Sequence, residues 1–150
     1  MIPKKYVPNS LSNKDKKKQL SMILKSQKMY KKGTYFTRKQ VKYPHKESKH
    51  IIHAKKMYNV DTITPNKELS IKTGCSVDAM KQIVRKGEGA YYSSGSRPNQ
   101  TPQSWGLARL ASAITAGKAS VIDYSILEKG CNHTKKAFKL AKEAKSAKLI

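Results

Sequence analysis

The chain has 150 residues, room for one domain with extensions or for two very small ones, and its 37% apolar content leaves part of that length outside any core. Lys and Arg number 32 against 9 Asp and Glu, a net charge of +23, so a compact body of this composition repels itself and draws polyanions. No apolar run is long enough to span a bilayer, and the opening MIPKKYVPNS lacks the apolar centre of a secretory signal; a chain made and used without secretion is expected.

The charge is uneven. Residues 1–60 hold 17 Lys/Arg and 2 acids, residues 61–130 hold 9 and 6, and residues 131–150 hold 6 and 1. That pattern predicts three parts: a basic N-terminal arm with helices over 1–60, a compact helical domain over 61–130 and a basic C-terminal helix over 131–150. Nucleic acid is the favoured polyanion, because the basic segments lack the Trp/Phe/Leu face of a helix that lies on a membrane.

Residues 1–11, with Pro3 and Pro8, are expected to be extended. Ser12 with Asp15 three residues on reads as a capping box that opens a helix running to Gly33. Leu20, Ile23, Leu24, Gln27 and Tyr30 form its apolar stripe, while Lys14, Lys16, Lys17 and Lys18 have nothing to bury and project outward. Thr34 to Tyr43 is β-prone, a short strand or an extended arm. Its Tyr35, Phe36 and Tyr43, interleaved with Arg38, Lys39 and Lys42, suit stacking on bases or backbone, or anchoring on a protein surface. Ser48 caps a further helix with Ile51, Ala54 and Tyr58 inward. His45, His50 and His53 invite a metal reading, but no Cys or carboxylate stands at ligand spacing; solvated or phosphate-facing histidines are the reading, and no metal or cofactor is expected.

Thr64 to Arg85, TPNKELSIKTGCSVDAMKQIVR, reads as two short helices and a tight turn. Thr64 is the expected N-cap with Pro65 at the first helical position, Gly74 the left-handed stop, and Ser76 the second cap. Leu69, Cys75, Met80 and Ile83 then lie between the helices, as in the helix-turn-helix of DNA-binding proteins. Val77, Asp78, Lys81, Gln82 and Arg85 face outward, and Ser76, Lys81, Gln82 and Arg85 become candidate groove contacts, with Asp78 of the wrong sign for phosphate. An ordinary helical core explains the same pattern.

Lys86 to Ser104 is expected to be a long Ser/Gly loop. Its Ser93, Ser94, Ser96, Arg97, Asn99 and Gln100 are the parts of an anion site close to a helix N-terminus, where Thr101 caps and Pro102 leads; a surface loop that satisfies its own backbone is the alternative. Pro102 to Ala116 is a helix with Leu107, Leu110, Ala111 and Ile114 inward, Trp105 in the core, and Gly117 as its stop. Lys118 to Glu128 follows as a helix with Val121, Ile122, Ile126 and Leu127 inward, ended by Gly130. A last helix over 134–148 sets Ala137, Leu140, Ala141 and Ala144 against four lysines, and its alanines bury too little to hold it firmly. Cys75 and Cys131 are expected to stay unpaired, with Cys75 a small buried residue in the turn.

The segments GAYYSSGSRPNQT and SWGLARLASAITAGKAS, with KKYVPNSLSNKDKKKQ near the start and NKELSIKTGCS, resemble a family of small Lys-rich proteins encoded by giant (nucleocytoplasmic large) DNA viruses of algae and protists. The likeness runs from about Lys4 to Cys131. Ala116 departs from it where a second Gly is expected, and Glu88 where a basic residue is. The resemblance implies a setting, a large double-stranded DNA virus and its particle, and no chemistry.

The expected fold is mainly α: a small helical domain with a helix-turn-helix-like pair, a long Ser/Gly loop and basic arms. The expected function is a non-enzymatic virion protein that binds double-stranded DNA largely without sequence specificity. The alternatives are a minor capsid protein whose basic arms lie on major capsid protein or other virion proteins, and a helix-turn-helix regulator. Localisation follows as the virion, with host cytoplasm or nucleus during assembly. Acids are scarce and lack nuclease spacing; Tyr91 or Tyr92 with Arg97 and Arg109 is a conceivable nicking set that aromatic packing explains more simply.

Overall fold

Ser12 opens the first helix by the predicted bond, its Oγ accepting from the Asp15 amide at 3.1 Å, and local capping of this kind sets most of the later elements. The computed structural model describes residues 2–44 and 47–148, and the chain is mainly helical. After a 3-10 turn at Lys4–Tyr6 come α1 (Asn13–Lys31), α2 (Lys49–Tyr58), α3 (Lys67–Thr73), α4 (Val77–Ser93), α5 (Pro102–Ala113), α6 (Lys118–Ile122), α7 (Tyr124–Gly130) and α8 (Lys136–Lys148). Among the described residues the single strand-like pairing is an isolated antiparallel bridge between Cys75 and Cys131. The β-prone stretch 34–43 forms no strand among the described residues.

The residues gather into two compact units. The first is Met1–Lys46 with Glu88–Trp105, the second Glu47–Gly87 with Gly106–Ile150, the divisions falling inside α4 and α5.

In the first unit α1 turns a different face inward from the one its apolar residues suggest. Gln19, Met22, Ile23 and Ser26 are buried, whereas Leu20 and Leu24 are exposed. The reason lies in distant carbonyls: Gln19 Nε2 donates to Tyr6 O at 3.1 Å and to Ser96 O at 3.5 Å, and Ser26 Oγ reaches Tyr92 O at 3.1 Å. An orphaned buried carbonyl costs roughly 1–3 kcal/mol, enough to draw two polar side chains inward. A small apolar cluster of Leu11, Met22 and Val41, with Phe36 and Tyr43 against it, completes this unit. Trp105 is half-buried, edge-on to Tyr6 at 5.7 Å.

The second unit holds the main core, in which Leu69, Met80, Ile83, Leu110, Ile114 and Leu127 are fully enclosed. The cap of α3 is Asn66, whose Oδ1 accepts from the Leu69 amide at 2.8 Å. Thr64 instead accepts from the Asn66 side-chain amide, so the expected Thr64/Pro65 start lies two residues upstream of the real one. Gly74 ends α3 at φ 83 and Ser76 caps α4 by accepting from the Ala79 amide, both as predicted. α4 runs on through residues expected to form a loop, despite the helix penalty of about 1 kcal/mol carried by each glycine. Gly87 is needed there, because a Cβ on it would lie 2.5 Å from Gly106 Cα of α5.

The helix expected over 118–128 breaks at Asp123 into α6 and α7, which leaves Ile122 55% exposed. Asp123 is fully buried. Its carboxylate takes Arg109 Nε at 2.7 Å and Nη2 at 2.8 Å, and Lys86 Nζ at 2.8 Å. Burial alone raises this carboxyl, but the hydrogen bonds and charges of Arg109 and Lys86 outweigh it and hold it below its ordinary value; in return the Asp123 hydrogen bond raises Arg109. Tyr58, buried, donates its hydroxyl to Ile114 O and is pushed well up by the loss of water.

Cys75 and Cys131 form a disulfide, contrary to the unpaired expectation. The α3–α4 turn and the α7–α8 junction lie side by side, with Ser76 N donating to Gly130 O at 2.8 Å and Asn132 N to Gly74 O at 2.7 Å. α8 is also better held than its alanines suggest, because Phe138, 5% exposed, joins Ala137 and Ala141 in the core and its ring meets Tyr124 and His133.

α5 ends before the expected stop at Gly117, and the left-handed residue is Ala116 at φ 61. An L side chain in that conformation costs roughly 1–2 kcal/mol, so Ala116→Gly is expected to stabilise the protein by about 0.5–1 kcal/mol after the added freedom of the unfolded chain is counted. A lower urea midpoint for the variant would contradict this.

Candidate nucleic-acid interface

In the first unit the predicted lysines are placed at the surface: Lys14, Lys17, Lys18, Lys39 and Lys42 are exposed and Lys16 is half-buried. Three of them are anchored, Lys39 and Lys42 by the backbone and Lys18 by its side chain. Asp15 Oδ2 accepts from the Lys42 amide at 3.4 Å, Lys18 Nζ reaches Gln40 O at 3.4 Å, and Met22 sulfur accepts from the Lys39 amide. Among the described residues no carboxylate stands within ion-pair distance of these six lysines.

Arg38 is placed otherwise. It is 8% exposed, with its guanidinium carbon 3.8 Å from the centre of the Tyr91 ring. It donates to Tyr91 O at 3.0 Å and to Ser96 Oγ, and its amide donates to the Tyr91 hydroxyl. Burial lowers its pKa, partly offset by the tyrosines around it. Tyr6 is raised by burial, with Arg38 and Arg97 opposing. Arg38 therefore braces the loop from inside, and Tyr91, fully enclosed, is a buried packing residue rather than an exposed nucleophile.

The loop between α4 and α5 shortens to residues 94–101 and divides its polar residues in two. Ser96, Asn99 and Gln100 point inward to partners: Ser96 Oγ donates to Arg97 O, Gln100 Oε1 accepts from Ser104 Oγ, and Asn99 serves Val41 N, Val41 O and Tyr43 O. Asn99 thus stands in for the neighbouring strand that residues 41–43 lack. Ser93, Ser94 and Arg97 are exposed. Thr101 caps α5 by accepting from the Ser104 amide at 2.9 Å, as predicted.

In the second unit Ser76, Lys81, Gln82 and Arg85 are exposed on α4, with Val77 half-buried. The Gln82 amide is taken up by Asp78 Oδ2 at 2.8 Å. Lys135, just before α8, and Lys139, Lys142 and Lys145 on it are exposed, Lys145 lying 4.1 Å over the Tyr124 ring. Arg109 is held by Asp123. His50 and His53 are exposed, and His45 lies outside the described residues. Among the described residues no cluster of His, Cys, Asp and Glu is arranged to hold a metal, and no helix is long and apolar enough to cross a membrane.

One surface feature escaped the sequence reading. Tyr30, Tyr35 and Tyr92 meet in the first unit, and two of them, Tyr30 and Tyr92, fall in segments that composition marks as a helix stripe and a loop. No local signal joins Tyr92 to two rings so much earlier in the chain.

These features define a small, all-α, strongly basic protein. The chain belongs to a family of unknown function (DUF5824), whose model matches residues 3–140. No curated protein and no solved structure matches it.

Proposed function

We propose that the protein is a non-enzymatic, basic structural protein that binds nucleic acid largely without sequence specificity, holding DNA by phosphate neutralisation. The observation that carries this reading is the set of lysines at 14, 16, 17, 18, 39 and 42, which no carboxylate among the described residues neutralises. Such a surface is self-repelling in the free protein, and binding a polyanion both relieves that repulsion and releases the polymer's counterions. The setting, a particle of a large double-stranded DNA virus, rests on the sequence resemblance.

The test is anisotropy titration of a labelled duplex over a range of salt. Each phosphate contact contributes about 0.9 to the slope of log affinity against log salt. Changing Lys14, Lys16, Lys17 and Lys18 together to Gln should lower the slope by roughly 3–4. Salt-insensitive binding, or an unchanged slope in the variant, would remove the proposal. Retention on nuclease-treated particle shells is the outcome expected of the alternative in which the arms lie on capsid protein.

A second reading, sequence-specific recognition by α4, is favoured by the exposure of Lys81, Gln82 and Arg85. The engagement of Gln82 by Asp78 opposes it. A binding-site selection that returns no motif would dispose of it.

A further inference from the structure

Tyr35 is 66% exposed, yet it is held between two other rings, its centroid 4.9 Å from that of Tyr92 and 6.1 Å from that of Tyr30. Burial is where an aromatic ring contributes most to stability, so three tyrosines gathered at a surface call for a reason beyond packing. The backbone fixes their meeting. Gly33, at φ 80, turns the chain at the end of α1, and Thr34 N donates to Met29 O at 2.9 Å, which lays Tyr35 back beside the last turn of that helix. The buried Ser26 hydroxyl lies 3.4 Å from Phe36 O and 3.1 Å from Tyr92 O. One side chain thus holds both segments that carry the rings.

The rings are tilted by 45° and 50° rather than stacked, and the exposure of Tyr35 leaves room on it for a flat group. Lys28 and Lys31 in the last turn of α1 and Lys32 at its C-cap, all exposed, are near neighbours of Tyr30 in the chain. Aromatic faces beside ammonium groups match a strand whose bases are unpaired and whose phosphates run alongside. Duplex DNA keeps its base faces inside the stack and gains nothing from such a ledge.

We propose that Tyr30, Tyr35 and Tyr92 form a stacking platform for single-stranded DNA, with Lys28, Lys31 and Lys32 beside it for the phosphates. The assignment rests on the charge-driven nucleic-acid binding proposed above and adds to it a preference for unpaired bases.

The experiment titrates the full chain, wild type, Tyr35→Ala and Tyr35→Phe, with a labelled oligothymidine of about 20 nucleotides and with a duplex of equal length at one salt concentration. Tyr35→Ala should weaken oligothymidine binding about tenfold and leave the duplex unchanged, while Tyr35→Phe, which keeps the ring, stays near wild type. Unchanged oligothymidine affinity in Tyr35→Ala, an equal loss on both probes, or an equal loss in Tyr35→Phe would overturn the platform and leave the charge-driven reading standing. A wild-type chain that binds neither probe would overturn both.

Discussion

Replacing Asp123 with Leu is expected to destabilise the protein by about 3–5 kcal/mol, the range for breaking a buried ion pair from one side. The carboxylate is fully enclosed and receives three hydrogen bonds, two from Arg109 and one from Lys86. Lys86 is half-exposed and can turn its ammonium to water when the partner is lost. Arg109, with only 21% of its side chain exposed, keeps a charge that nothing nearby neutralises, and its desolvation is the larger part of the loss. The double variant Arg109→Met with Asp123→Leu removes both charges and should recover most of the stability, since apolar replacement of a whole buried pair is near neutral.

The pH dependence has a definite sign. Because the folded-state pKa of Asp123 lies below its ordinary value, its contribution is fully present above about pH 4 and is lost as the pH falls through the lowered value. The stability gap between wild type and Asp123→Asn, measured by urea unfolding, should therefore be constant at neutral pH and narrow below about pH 4. A gap under about 1 kcal/mol at neutral pH, or a double variant no better than the single one, would show that the pair contributes little to the stability of the fold.

The same residue shows where sequence reasoning reaches its limit. Capping is local chemistry, and Ser12, Ser48, Ser76, Thr101 and Gly74 could be assigned from a few neighbours each. The break falls at Asp123, whose partner Arg109 lies 14 residues earlier, while the apolar pattern across 118–128 runs on without interruption. The rotated face of α1 is a second case, since Gln19 and Ser26 are recruited by carbonyls 77 and 66 residues away. Exposure of the lysines was legible because nothing else can be done with that much charge. The inward turn of Arg38 was not, because it depends on the Tyr91 ring, 53 residues further along the chain.

Removing the Cys75–Cys131 cross-link is expected to cost about 4 kcal/mol, the loop-closure value for cysteines separated by 56 residues. The effect falls mainly on the unfolded chain, because the folded one keeps the two segments together without the sulfurs. The Ser76–Gly130 and Asn132–Gly74 backbone bonds do not involve the sulfurs. The glycines on either side permit the approach, a Cβ on Gly74 falling 2.3 Å from Lys135 Cβ and one on Gly130 2.3 Å from Ala79 Cβ. Cys75→Ala with Cys131→Ala should therefore fold to the same structure with a lower urea midpoint, and reductant should lower the wild-type midpoint to nearly the same value while leaving the variant unmoved. Equal midpoints for wild type with and without reductant, in protein prepared under oxidising conditions, would mean that the two thiols do not pair. In a reducing compartment the core and those two backbone bonds must hold α8 to the α3–α4 turn by themselves. Residues such as Phe138 and Gly130 then matter more to the fold than the cysteines do.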